Sequence, residues 1–237
     1  MALPVGPFGV KDWKFMSLCD GDVHVRPRAN VHIHTNTRRS AAVPFHILGP
    51  WIISVLCGLT ALFFYEFKGE TPTAVGAAWP DSSVLERDFK RPTLVFFVHP
   101  RCPCTAAGIA ELDRVLSSNP EAFRTYVVLP VPADDAPSWH SGNNITAAKR
   151  LPDASIIPDP AGAIAGTFGI RTSGTALVYD TVGDLRFRGG LTASRGHEGE
   201  NFGTLALRAL AKGNTPERHE SPVFGCEVVH PTRENRS

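Results

Sequence analysis

The sequence predicts an α/β fold, a helix-covered and mostly mixed sheet, preceded by one transmembrane helix. Three observations predict it. An uncharged stretch of 19 residues runs from Ile47 to Tyr65. From about Asp81 onward, short apolar runs of strand character alternate with amphipathic helical patterns. The length of 237 residues fits one ordinary domain with appendages, since a domain takes roughly 150 residues. A 43% share of hydrophobic residues is enough for a core and excludes a wholly disordered chain. Lys+Arg 24 against Asp+Glu 23 leaves a net charge of +1, which removes the electrostatic case for a nucleic-acid partner. A mean hydropathy of −0.06 excludes a multi-spanning protein but not a single span. Five cysteines are too few for a disulfide framework, so their positions carry the information.

The elements follow in order. Residues 1–44 show no sustained periodicity and are expected to be a disordered tail; His24, His32 and His34 in it read as solvated loop histidines rather than a metal tract. Residues 45–66 form the anchor. As a helix, Ile47 to Tyr65 spans about 28 Å, close to the hydrocarbon thickness of a bilayer. Pro50 lies near its start, and Trp51 and Tyr65 suit the two interfaces. The flanks carry +3 over residues 1–44 and −1 over Glu66, Lys68 and Glu70, so the N-terminus is expected to stay cytoplasmic with the remainder exported, as an uncleaved signal anchor. Residues 67–80 read as a linker.

The exported domain is expected over residues 81–213. Thr93 to His99 is a continuous apolar run, the signature of a strand covered on both faces. A helix from Pro103 to Ser117 places Ile109, Leu112, Val115 and Leu116 on one side, and Thr125 to Val131 is a second buried strand. A Pro-rich loop and a helix over Asn143 to Leu151 come next. Asp159-Pro160 reads as a helix start, with Gly169 ending that helix. Thr175–Tyr179 and Leu185–Arg188 are strands joined by a turn at Val182-Gly183-Asp184, and a last helix covers Glu200 to Lys212. Residues 214–237 form a C-terminal tail carrying Cys226.

The chemistry concentrates in His99-Pro-Arg-Cys-Pro-Cys-Thr105, where a buried strand gives way to a helix. Cys102 falls at the N-cap region and Pro103 in the first turn. Unpaired amides and the helix dipole favour a thiolate there, and Arg101 adds local positive charge. A thiolate is the species that attacks a disulfide or a peroxide. The bland alternative is a pair of inert buried cysteines.

Strand, Cys-Pro turn and helix, followed later by Gly169-Ile-Arg-Thr-Ser-Gly-Thr-Ala-Leu-Val-Tyr179, resemble the thioredoxin-like superfamily over residues 84–213. Within it the pattern is most similar to the membrane-anchored extracytoplasmic proteins of the TlpA and RedB type. The resemblance implies a three-layer α/β/α sandwich, thiol–disulfide exchange and no cofactor. It also implies exported protein thiols or disulfides as partners, with a membrane electron donor as a further candidate. It makes Cys102 the exposed attacking cysteine and Cys104 the resolving one, joined as a Cys102–Cys104 disulfide when oxidised. Two departures stand out. The usual Cys-x-x-Cys is here Cys102-Pro103-Cys104, with Thr105 at the usual second-cysteine position; a bridge between residues two apart closes a strained ring that is easily reduced. Gly174 stands where the family carries a cis-proline.

Cys226 is the remaining exported thiol, a candidate to resolve a mixed disulfide or to pair with Cys102 or Cys104. Cys19 and Cys57 fall in the tail and the anchor. The stretch Gly189 to Gly199 carries Arg195, His197 and Glu198, so His197 and Arg195 join His99 as candidate supporting residues. The main alternative is a soft-metal carrier using His99, Cys102, Cys104 and His197; a non-catalytic interaction module is the third class. Asn144-Ile145-Thr146 fits a glycosylation sequon, a frequent pattern by chance. A peroxidase would call for Thr-x-x-Cys, which is absent at the site.

Overall fold

In a computed structural model of the chain, residues 45–72, 75–131 and 142–228 are described. The expected N-terminal tail with Cys19, His24, His32 and His34, the Pro-rich loop at 132–141 and residues 229–237 lie outside them.

Helix α1 (Phe45–Phe67) contains Pro50 in its second turn. The most apolar 18 residues within His46–Phe67 have a mean hydropathy of 2.1 and none of them is buried inside the protein, so the helix is long and apolar enough to cross a membrane.

The domain alternates β1 (Thr93–Phe97), α2 (Pro103–Ser118), β2 (Arg124–Val131), α3 (Asn143–Ala148), β3 (Ala154–Pro160), α4 (Ala163–Thr167), β4 (Thr175–Tyr179), β5 (Leu185–Gly190), α5 (Phe202–Ala211) and β6 (Glu220–Ser221). The sheet order is β3-β2-β1-β4-β5-β6. β3, β2 and β1 run parallel, β4 is antiparallel to both its neighbours, and β6 is parallel to β5. The expected mixed sheet is therefore present, with β1 at its centre. Side chains alternate across it. Leu94 and Phe96 face a core closed by Ile109 and Leu112 of α2, Ile145 of α3 and Leu207 of α5. Val95 and Phe97 face a second core with Ile164 and Phe168 on the α4 side. These are the three layers.

Three local features depart from the sequence reading. β3 was not expected, because Pro158 and Pro160 speak against a strand; at the sheet's edge a proline interrupts no second ladder. Asp159 is accordingly not the first residue of a helix but the penultimate residue of β3. Its buried carboxylate still accepts the amides of Ile164 (2.7 Å) and Ala165 (2.9 Å), so it caps α4 from a distance in sequence. The segment read as a linker is tied to the domain. Glu70 pairs with Val223 and Ala78 with Asp184, and the Trp79 ring packs edge-on against Phe168 and Tyr179 at 5.3 and 5.2 Å. The C-terminal segment contributes β6 and the buried side chains Val223, Phe224 and Val228.

Leu112 has no exposed surface, whereas Leu205 on the outer side of α5 is 43% exposed. Leu112→Ala is expected to cost about 2–5 kcal/mol and Leu205→Ala less than about 1 kcal/mol, measured by denaturant unfolding of the full chain in detergent.

Candidate functional site

β1 ends at Phe97, and Val98 still donates to Val128 O at 2.9 Å, so the chain leaves the sheet at His99. A turn closed by Cys102 N–H to His99 O (3.3 Å) delivers Cys102 to the N-cap of α2, in extended conformation (φ −83°, ψ 119°), with Pro103 beginning the helix. Asn144 pins this turn. It is buried in α3, and its side-chain amide donates to both His99 O and Cys102 O at 2.9 Å. Sequence reasoning saw only a glycosylation pattern here; an amide committed to two carbonyls inside the fold is no glycosylation acceptor.

Cys102 was expected to be exposed and is not: only 1% of its surface is accessible. Cys104 is half-buried and Cys226 exposed. All three carry free thiols, as does Cys57. The structure brings the three domain sulfurs together. Burial works against ionisation of Cys102, but hydrogen bonds from the Cys226 thiol and the Thr105 hydroxyl, then the Thr105 and Cys104 amides, outweigh it and lower its pKa below the ordinary thiol value. Cys104 moves the other way, through burial and the neighbouring Cys102 charge, despite the opposing effects of Arg195 and the Gly196 amide. Burial and donation to Cys102 push Cys226 up to about 12. Of the three sulfurs, Cys102 is the one shifted towards the thiolate.

Thr105, at the position of the usual second cysteine, is buried, and its hydroxyl shares a hydrogen bond with Ser173 Oγ at 3.2 Å. Ser173 Oγ also accepts the Cys226 amide (3.0 Å), and the Ser173 amide donates to Cys226 O (2.8 Å). One residue on, Thr172 and Glu227 form an antiparallel bridge, and Val228 N–H reaches Arg171 O at 2.7 Å. Gly174 has φ +83° and donates to Phe97 O (2.7 Å); a Cβ there would stand 3.1 Å from Phe224 O. At the expected cis-proline position, glycine therefore leaves room for the C-terminal segment.

The glycine-rich loop contributes unequally. Arg195 lies beside Cys104 and Cys226 and favours both thiolates, while its guanidinium stacks on the Tyr65 ring at 4.8 Å. Glu111 accepts Gly199 N–H (2.5 Å), and Arg114 bonds Glu111 (2.5 Å) and Glu198, fastening the loop to α2. His197 is exposed, and its Nδ1 meets its own loop at Arg195 O (2.8 Å). His99 is half-buried; burial and then the Arg101 charge lower its pKa, and its Nδ1 accepts the Arg101 amide at 3.2 Å. Among the described residues no group of three or more His, Cys, Asp or Glu side chains is arranged to hold a metal ion, so the geometry gives the soft-metal reading no support.

No protein-family model and no curated protein matches the chain. Solved structures do. A hypothetical protein from Sinorhizobium meliloti 1021 superposes with a TM-score of 0.52 at 16% identity, over 68% of this chain and 98% of that one. An uncharacterized conserved protein from Geobacillus kaustophilus gives 0.49 at 20% identity, over 70% and 92%. A thioredoxin-like protein in its oxidized form gives 0.40 at 17% identity, over 64% and 95%. At such identities the likeness is one of fold alone.

The pKa of Cys102 is predicted to rise when its donors are removed. Alkylation rate follows the thiolate fraction, so the rate–pH profile of Cys102 rises below the ordinary cysteine range and shifts to higher pH in Cys226→Ala and Thr105→Val. Iodoacetamide labelling followed by peptide mass spectrometry measures both; unmoved profiles refute the assigned donors.

Proposed function

We propose that the chain is a membrane-anchored thiol–disulfide oxidoreductase, with α1 in the membrane, residues 1–44 on the cytoplasmic side and the domain outside the cytoplasm. The observation that carries the reading is Cys102 at the N-cap of α2, its thiolate favoured by its neighbours and a second and third thiol beside it. Such a sulfur attacks a disulfide, breaks its S–S bond, forms a mixed disulfide and releases one partner thiolate. A neighbouring thiol then displaces the other partner; Cys104 is the nearest in sequence. Substrates are thiols or disulfides of other exported proteins, and a membrane electron donor returns the site to the dithiol state. Arg195 favours ionisation of the secondary thiols, which is the condition for either to act as nucleophile.

Incubation of the full chain in detergent with glutathione redox buffers tests this. The wild type is expected to equilibrate with the buffer, and Cys102→Ser to lose exchange by at least about a hundredfold, since the thiolate is the nucleophile. Absence of exchange at every poise in the wild type overturns the proposal and favours a non-catalytic interaction module. Stoichiometric metal in anaerobically purified wild type, lost in Cys102→Ser, would instead support the soft-metal carrier.

A further inference from the structure

The chain's last described segment crosses the site and places an exposed sulfur against a buried one. We infer that Cys226 is the resolving thiol, and that the oxidised form of this protein is a Cys102–Cys226 disulfide with the C-terminal segment closed over the site. The inference rests on the oxidoreductase reading and replaces Cys104 in its second step.

Three observations support it. First, the segment is seated by backbone and not by chance side-chain contact. Ser173 and Cys226 exchange two hydrogen bonds, Thr172 and Glu227 form a β-bridge, and Val228 reaches Arg171 O. Second, the fit is shaped for it. A Cβ on Gly225 would fall 1.8 Å from Ser173 O, so only glycine allows this approach, and Gly174 opens the opposite wall. Third, Cys102 is hydrogen-bonded to Cys226 and is only 1% exposed, so in this scheme the segment lifts to admit a substrate disulfide. The competing Cys102–Cys104 bridge joins residues on a single helical turn and closes a strained ring, whereas Cys226 approaches from a separate segment without that constraint.

The chemistry balances with a disulfide substrate, R–S–S–R′, as the oxidant. The segment lifts, Cys102 thiolate attacks one sulfur, the R–S–S–R′ bond breaks, and R′ leaves as thiolate. Cys102 is then uncharged. Its negative charge and its demand for a hydrogen bond, two of the effects that hold Cys226 protonated, disappear, while Arg195 still favours the Cys226 thiolate. The segment reseats, Cys226 gives its proton to water or to the departed thiolate, and its sulfur attacks Cys102. The Cys102–Cys226 bond forms and R leaves as the second thiolate. Two electrons have passed from the two cysteines to the substrate. Cys226 is thereby silenced until Cys102 has reacted, which prevents premature attack.

Glutathione disulfide is the probe, added to the reduced full chain in detergent, followed by acid quench, alkylation and peptide mapping. The expected result is a Cys102–Cys226 cross-linked peptide with Cys104 alkylated. In Cys226→Ser the glutathione–Cys102 mixed disulfide is expected to persist at least tenfold longer. Gly225→Ala keeps all three thiols but unseats the segment, and is expected to prolong the mixed disulfide as well, with circular dichroism confirming the fold. A Cys102–Cys104 cross-link with Cys226 alkylated, or clearance of the mixed disulfide at the wild-type rate in Cys226→Ser, overturns this inference while leaving the oxidoreductase reading intact. If Cys102 never forms the mixed disulfide, both fall.

Discussion

The site depends on one buried hydroxyl. Just before β4 begins, Ser173 Oγ is hydrogen-bonded to the Thr105 hydroxyl in the first turn of α2 and accepts the amide of Cys226 in the C-terminal segment. Three stretches distant in sequence therefore share one oxygen. Ser173 is fully buried, and losing one of the two hydrogen bonds to its oxygen carries a cost of about 0.5–1.5 kcal/mol. That penalty holds the segment down and keeps the sulfurs within hydrogen-bonding reach.

The electrostatics divide labour between neutral and charged neighbours. The Cys102 anion is supported by a thiol, a hydroxyl and helix-start amides, without a cation among the chief contributors. Dipolar support of this kind is little screened by salt, because the groups are fixed and shielded. The cation, Arg195, acts on Cys104 and Cys226 instead. A site with a permanent charge on its primary sulfur would hold the anion more tightly and make it a poorer nucleophile, since nucleophilicity falls with pKa.

Much of this was legible in the sequence, and what was not shares one cause. Continuous apolar runs revealed β1, β2 and β4, and Pro103 after Cys102 marked the start of α2, because those signals are local. Arg195 was flagged from a loop dense in glycine and charge. β3 escaped because its prolines are read as strand breakers, and only the sheet order shows it to be an edge. Asn144 and Ser173 escaped because each acts across a long stretch of chain: an amide or hydroxyl carries no sign of which carbonyl or amide it will meet. Cys102 was expected at the surface because nothing in the sequence around Cys226 announces that this stretch meets it. His197 was grouped with Arg195 by adjacency, yet neighbours in a turn face different ways.

The tied segment after α1 has a consequence for geometry. Lys68 to Glu70 leave almost no slack between Phe67 and the Val223 bridge, and Arg195 clasps Tyr65 from the sulfur side. On the anchored reading, the domain cannot swivel or reach outward as it would on a loose tether. Encounter then favours targets held at the same membrane over those free in solution.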